Sequence, residues 1–240
     1  MSQINIPIVF QNSDFVVVNK PAGLNFHSEL DETYTQENDK KETAPGLVVV
    51  LQQLLNLPEL YPVHRLDKMT SGLVIFALNK KTAQAFQVMF ESHQVQKFYL
   101  ALSDKKPKKK QGWIVGDMQS ARRGSWKLSK SKVNPARTQF QSFSIEPGLR
   151  LYLLKPVTGK THQLRVALKS IGAPILGDVR YADANSAKAI DRGYLHAFAL
   201  QFKLYDKRYE FVQAPVTGYA FTKPSCLSLI DSWQKPWELF

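Results

Sequence analysis

The stretch HRLDKMTSG, residues 64–72, brings together groups that can do chemistry: a histidine, an arginine, one carboxylate, two hydroxyls and a glycine. It comes directly before the apolar run LVIFAL, residues 73–78. Asp67 therefore lies just before a predicted buried strand, where a carboxylate is either paired or functional. The alternative is a structural role, because aspartate often caps a turn by accepting from amides such as those of Thr70 or Ser71.

A second distinctive stretch is TGKTHQLRVALKSIGAPILGD, residues 158–178. It is not a phosphate-binding P-loop, because Leu154 stands where that loop requires a glycine. The apolar residues at helical spacing are Leu164, Ala167, Leu168 and Ile171. Gly172 is typical of a helix end. Arg165 flanks this stripe, and an arginine at the margin of a core can hold a carboxylate with two hydrogen bonds. Since Asp67 is the carboxylate in an equally distinctive motif, we predict that Arg165 pairs with it.

Composition limits the class of protein. A chain of 240 residues with 44% hydrophobic content can bury a sizeable core, and without a linker it predicts one domain over residues 1–240. A single cysteine, Cys226, and the lack of zinc-ligand spacing predict neither a disulfide nor a metal site. Neither an export signal nor an apolar stretch of membrane length is present, so we expect a cytoplasmic protein without membrane association.

The charge is strongly positive and unevenly distributed. The net charge is +12, which favours a polyanionic partner. Residues 105–137, here called the basic segment, hold eleven Lys and Arg against one acid, Asp117. Solvated loops are the ordinary interpretation of such a run. Because Trp113 and Trp126 lie among the cations, a surface that binds phosphates and stacks bases is the alternative that we favour. The acidic residues 27–44 predict a mobile surface loop.

The hydrophobic pattern predicts a mixed α+β fold. Strands are expected at residues 15–18, 73–78, 96–103 and 150–156, with a half-buried strand at 198–204. Helices are expected at 46–57, packed on two sides, and at 81–93. Strands outnumber helices without a regular βαβ rhythm. The prediction is therefore a largely antiparallel sheet core with flanking helices.

Taken together, these motifs resemble the RluA-type pseudouridine synthases, which share the core H-R-L-D-x-x-T-S-G. NKPAG, KFYLAL, TGKTHQLRV with GAPILGDVRYA, and LHAFALQF resemble the other blocks of that family in the same order, so the resemblance covers nearly the whole chain. It implies the pseudouridine synthase catalytic fold without a separate N-terminal RNA-binding domain. It also implies isomerisation of particular uridines in structured RNA, either tRNA or large-subunit rRNA, without a cofactor.

The resemblance assigns roles to individual residues. Asp67 matches the nucleophilic aspartate, Tyr99 the tyrosine that packs on the target base, and Arg165 the arginine that pairs with the aspartate. Arg65 matches an arginine that helps to displace the target from its stack. The other residues that we assign to substrate binding are Thr70 and Leu164.

The chemistry is consistent with these roles. Uridine becomes its C-glycoside when the N1–C1′ bond breaks, the ring turns and C5 rejoins the sugar. An ionised Asp67 can form a covalent intermediate or deprotonate the sugar, and the sequence leaves this choice open. Tyr99 offers a face for stacking and a hydroxyl for proton transfer, although a strand tyrosine is also an ordinary core residue. The target base must leave its helix or loop to be reached.

Several residues depart from the family pattern or invite another interpretation. Lys160 replaces the usual arginine of G-R-T-H-Q, and Ala167 replaces a frequent histidine, so we expect altered RNA contacts. We expect His64 and His162 to bond to the backbone and His196 to be a core histidine.

Two other functions are weighed against the synthase. One is an inactive RNA-binding protein, which would be expected to lack Asp67 or Arg165. The other is a metal-dependent nuclease, which would need a cluster of ligands that the distinctive motifs do not contain. We expect the synthase to be a monomer without an obligatory protein partner.

Overall fold

The computed structural model describes residues 5–30 and 43–240, and the chain forms two compact units, Met1–Val88 and Met89–Phe240. The single domain over residues 1–240 therefore stays a prediction. Residues 31–42, the larger part of the predicted acidic loop, lie outside the described residues. Within the described ranges no helix is long and apolar enough to cross a membrane.

The first unit contains a small antiparallel sheet with two helices. Its elements are β1 (Ile8–Gln11), β2 (Phe15–Lys20), β3 (Glu29–Leu30), β4 (Thr43–Ala44), α1 (Leu47–Leu55), β5 (Tyr61–Pro62), β6 (Ser71–Ala77) and most of α2 (Lys80–Glu91). The strand order is β1–β2–β6–β5, and β3 pairs with β4. Every residue of β2 and β6 is buried, which confirms the strands predicted from the two apolar runs.

Helix α1 is present where it was predicted, but it packs differently. Leu47 and Leu51, one helical turn apart, are its buried residues, whereas Leu54 is 48% exposed. The prediction of a helix packed on two sides is therefore wrong. A continuous run of apolar residues does not reveal which of them face solvent.

The second unit contains a larger antiparallel sheet. Its elements are β7 (Gln96–Ser103), β8 (Gln111–Ser120), β9 (Trp126–Leu128), β10 (Pro135–Glu146), β11 (Leu149–Pro156), α3 (Gln163–Ser170), α4 (Ala184–Lys188), β12 (Leu195–Leu204), β13 (Lys207–Val212) and α5 (Pro224–Asp231). The strand order is β13–β12–β7–β11–β10–β8–β9. The predicted fold class, a largely antiparallel sheet with flanking helices, is confirmed.

Strand β12 corrects a prediction. Its alternating pattern predicted a half-buried strand, yet of its residues only Lys203 is exposed. The polar Gln201 is buried because neighbouring strands satisfy it: it accepts from the Gln96 side chain at 2.9 Å and donates to Glu210 at 3.0 Å. Polarity in a strand therefore does not by itself indicate contact with water.

A glycine fixes the loop that leads into the second half of this unit. Gly177 has φ +75°, and a Cβ at this position would lie 2.0 Å from the Arg192 carbonyl oxygen. Both the left-handed backbone and the close approach of another chain segment require glycine here. The loop in GAPILGDVRYA therefore depends on Gly177.

We predict that Gly177→Ala lowers the free energy of unfolding by about 3 kcal/mol or more, because the backbone must move as well as adopt a strained φ. Gly148→Ala is the matched control, since Gly148 has the same φ of +75° with nothing near its Cβ position. That control is expected to cost about 1 kcal/mol. Chemical denaturation measures both, and equal losses would contradict the steric argument.

Candidate active site

Asp67 lies in the loop between β5 and β6, and this loop is a tight turn. The amide of Thr70 donates to the main-chain carbonyl of Asp67 at 3.0 Å. Asp67 is half-buried, Arg65 is exposed, and Thr70 is 2% exposed. The three predicted site residues of HRLDKMTSG are therefore placed together in the first unit.

A buried lysine holds this turn. Lys20 is 0% exposed and ends β2. Its Nζ donates to the carbonyls of Thr70 at 2.9 Å, Lys68 at 3.2 Å and Pro21 at 3.0 Å. The amide of Gly23 also donates to the Lys68 carbonyl, at 2.8 Å. NKPAG and HRLDKMTSG, which are far apart in the sequence, thus form one structural unit around Asp67.

His64 holds the other end of the motif. Its Nε2 accepts from the amide of Ile75 in β6 at 3.0 Å. The predicted backbone bond of His64 is therefore confirmed. Because Nε2 accepts, the ring is neutral with the proton on Nδ1.

Arg165 lies in the second unit and forms a buried ion pair with Asp178. Its Nε donates to Asp178 Oδ2 at 2.7 Å and its Nη2 donates to Oδ1 at 2.9 Å. The side chains are 8% and 0% exposed. Arg165 is therefore inside the core and not at its margin as predicted. The sequence argument overlooked Asp178 as a partner, and the pairing of Arg165 with Asp67 stays a prediction.

The backbone around Asp178 completes this arrangement. The amides of Arg180 and Tyr181 donate to Oδ1 at 3.0 and 3.2 Å. A buried carboxylate with two amide donors and a bidentate guanidinium has its hydrogen-bonding capacity well satisfied. The Arg165 side chain is consequently held in one orientation.

Tyr181 connects this pair to its surroundings. Its ring lies 5.0 Å from Arg165 Cζ, and its hydroxyl is hydrogen bonded to His162 Nδ1 at 2.9 Å. The Trp126 amide donates to the same hydroxyl at 3.0 Å. Burial raises the pKa of Tyr181, so the phenol stays protonated at neutral pH. The Nδ1 partner of His162 is thus a side chain, and the backbone bond that we expected for His162 stays a prediction.

His196 has the structural role that was predicted. It is 1% exposed, and its Nε2 lies 2.7 Å from the Gln213 carbonyl oxygen. Burial lowers the pKa of His196 to about 4, so the ring is neutral in the folded protein at neutral pH. It is a core histidine.

Helix α3 is fixed on the sheet by Gln163. Its amide nitrogen donates to the Arg137 carbonyl at 3.1 Å and to Thr138 Oγ1 at 3.0 Å. Its Oε1 accepts from the Thr158 hydroxyl at 2.7 Å and from the Lys160 amide at 3.0 Å. The loop TGKTH and the start of α3 are thus attached to β10.

The register places Tyr99 and α3 on one face of this sheet. Tyr99 in β7 is opposite Leu154 in β11, and Leu154 is opposite Phe140 in β10. Thr138, the bonding partner of α3, is two residues from Phe140 and so shares its face. Of the predicted residues in this unit, Tyr99 is 9% exposed, and Leu164 and Arg165 are each 7% exposed. The structure brings these three to the same side of the sheet.

Sequence reasoning missed Lys20, Asp178, Tyr181 and Gln163. All four lie in motifs that were quoted, but their partners are distant in sequence or are main-chain groups. A lysine two residues after the buried run FVVV was a usable signal for Lys20, because a buried ammonium needs acceptors. Asp178 directly after Gly177 was a similar signal, typical of an aspartate that bonds its own turn.

Comparisons with known proteins identify the class of enzyme. Residues 14–170 match the family model described as RNA pseudouridylate synthase. Because the match covers more than half of the chain, the protein belongs to the RNA pseudouridylate synthase family. It is therefore an isomerase that acts on RNA, as the family resemblance implied.

Individual relatives agree with this assignment. An uncharacterised RNA pseudouridine synthase of Haemophilus influenzae is 47% identical over 228 residues, covering 95% of this chain and 96% of the relative. The tRNA pseudouridine synthase C of Pasteurella multocida is 30% identical, with 98% of each chain covered. The solved structure of human RNA pseudouridylate synthase domain containing 1 superposes with a TM-score of 0.71 at 26% identity, covering 94% of this chain and 88% of that chain.

We predict that Lys20→Met lowers the free energy of unfolding by about 2–3 kcal/mol, because buried carbonyls lose a charged donor. Lys68→Met, which replaces an exposed lysine in the same turn, is the control and should change stability by less than about 0.5 kcal/mol. Urea denaturation measures both. A loss for Lys20→Met as small as that of the control would show that the carbonyls do not depend on the ammonium.

We also predict that Asp178→Asn lowers the free energy of unfolding by about 3 kcal/mol, since the buried guanidinium of Arg165 loses the negative charge of Asp178. Asp206→Asn breaks the exposed pair with Lys203 and should cost less than about 1 kcal/mol. Thermal unfolding of the two variants gives the comparison. Similar losses in both would argue against a special role of the buried pair.

Proposed function

We propose that this protein converts a specific uridine of tRNA to pseudouridine, with Asp67 as the catalytic carboxylate. The observation that carries the proposal is the turn of HRLDKMTSG, in which Lys20 holds the backbone directly after Asp67. A nucleophile needs a fixed starting position relative to its substrate. The choice of tRNA is supported by the name of the Pasteurella multocida relative, tRNA pseudouridine synthase C.

Asp67 acts on the nucleotide whose N1–C1′ bond breaks. The uracil turns, C5 bonds to C1′, the C5 proton leaves and N1 gains a proton, so atoms and electrons balance within an isomerisation. The reaction consumes no oxidant, reductant or group donor. A cofactor is therefore not required by this chemistry.

The other residues position the target. Tyr99 packs on the base with its ring and holds its hydroxyl near C5 for proton transfer. Arg165 pairs with the Asp67 carboxylate and orients it, as the planar guanidinium does with carboxylates in general. The exposed Arg65 occupies the space that the target vacates in its RNA stack. Thr70 and Leu164 contribute contacts to the bound nucleotide. We further propose that the enzyme acts in the cytoplasm as a monomer without an obligatory partner.

The experiment is tritium release from transcripts labelled at uridine C5, with pseudouridine mapped in the product. Wild-type protein should release tritium from tRNA. Asp67→Asn should lower kcat by at least about 10³-fold and Tyr99→Phe by about 10²-fold, because each removes a group that acts on the reacting atoms. Asp104→Asn, the same change at an exposed carboxylate, is the control and should leave kcat unaltered.

The possible results separate the alternatives. Undiminished release by Asp67→Asn would reject the role of Asp67. Tritium release from large-subunit rRNA and not from tRNA would reject tRNA as the substrate. RNA binding without release by the wild type would favour the inactive RNA-binding protein.

A further inference from the structure

A groove of about 570 Å³ opens at the edge of the second unit, here called the edge groove. Its lining includes Met118, Trp126, Asn134, Gly159, Lys160 and Thr161. Two loops form its sides: the segment before β10 and the loop TGKTH before α3. The groove is separate from the residues assigned above to the target uridine.

The lining combines an apolar floor with a polar rim. Met118 and Trp126 supply a thioether and a half-buried indole. On the rim, Lys160 Nζ donates to Asn134 Oδ1 at 2.9 Å, which uses one of its three hydrogens. Gly159 adds no side chain, and nothing lies within 4 Å of its Cβ position. The groove thus offers a flat aromatic surface beside a cation and an open backbone segment.

The groove lies on the face of the sheet that carries Tyr99 and α3. Trp126 in β9 is opposite Ser120 in β8, and Ile114 in β8 is opposite Thr138 in β10. Because Ile114 and Ser120 are separated by an even number of residues along β8, Trp126 and Thr138 lie on the same face of the sheet. The Trp126 amide bonds to Tyr181, whose ring contacts Arg165. A ligand in the groove would therefore lie on the same side of the sheet as Tyr181 and Arg165 and not behind the sheet.

The electrostatic environment favours a polyanion. All eleven Lys and Arg side chains of the basic segment are exposed. Asp117, the one acid of the segment, also lines the groove and accepts from the amides of Val133 and Asn134 at 3.0 Å each. Hydrogen bonding from Ser131, helped by those amides and by the charge of Lys160, lowers the pKa of Asp117. Its carboxylate therefore organises the loop and is balanced by Lys160.

We propose that the edge groove binds a nucleotide of the substrate RNA other than the target uridine, with its base on Trp126 and its phosphate at Lys160. The proposal rests on the proposed function, because it takes the ligand to be the RNA that is modified. An aromatic surface next to a lysine suits this ligand, since every base can stack and every nucleotide carries a phosphate. The groove thereby selects the RNA by its flanking sequence or shape.

The experiment measures the Kd of unmodified tRNA transcripts by fluorescence anisotropy at about 0.15 M salt, where weak charge contacts are screened. Trp126→Leu should raise Kd by about tenfold through lost stacking, and Lys160→Ala by about threefold. Trp113→Leu replaces an exposed tryptophan on the opposite face, and Lys188→Ala replaces an exposed lysine of α4. Both controls should stay within about twofold of the wild type.

Turnover gives a second readout. At saturating tRNA, kcat of the groove variants should stay within about threefold of the wild type, because the groove contacts no reacting atom. If Trp126→Leu does not fold, as judged by thermal unfolding, Lys160→Ala alone decides the matter, since its side chain lies at the rim.

The outcomes distinguish this proposal from the proposed function. An unchanged Kd in both groove variants overturns the proposal that the edge groove binds RNA, even if tRNA is modified. A rise in Kd for Trp113→Leu equal to that for Trp126→Leu overturns it as well. Weaker binding in the groove variants, with wild-type protein inactive on every transcript, supports the groove and rejects the isomerase activity. Weaker binding with normal kcat supports both.

Discussion

The buried ion pair between Arg165 and Asp178 is the interaction on which the arrangement of the second unit depends. Removing two charges from water costs several kcal/mol for each ion, and good geometry with further hydrogen bonds is needed to offset that cost. Asp178 meets the condition with two guanidinium and two amide donors. The pair therefore fixes α3 and the GDVRYA turn together, and Tyr181 extends this order to β9.

The first unit applies the same principle with a lysine. A single ammonium replaces water for carbonyls that point into a turn and would otherwise be poorly satisfied. Lysine suits this task because its three hydrogens spread around a point charge, whereas the planar arginine suits a carboxylate. In both units the residue that holds the motif is charged, buried and bonded to groups distant in sequence. The proposed catalytic groups thus depend on a scaffold that is costly to disturb.

Much of the fold and part of the site follow from the sequence. The strands of FVVV and LVIFAL, the backbone bond of His64 and the core position of His196 were predictable, because local pattern and burial decide them. The partner of Arg165 was not, because many carboxylates compete for one arginine and only the fold brings Asp178 to it. The prediction that β12 is half-buried was wrong for a similar reason, because the residues that hydrogen bond to Gln201 are on other strands.

The two tryptophans of the basic segment show most clearly what the sequence leaves open. The two look equivalent in the sequence, yet the register places Trp126 on the face of the sheet that carries α3 and Trp113 on the opposite face. There Trp113 is 48% exposed, and its ring centre lies 5.3 Å from Arg137 Cζ. Which face each tryptophan occupies depends on the register between β8 and β9, and therefore on where the connecting loop begins and ends. Composition does not determine that register. A surface rich in cations and aromatics therefore becomes a specific binding site only where the backbone also forms walls. In this unit the loop organised by Asp117 and the loop held by Gln163 provide such walls beside Trp126.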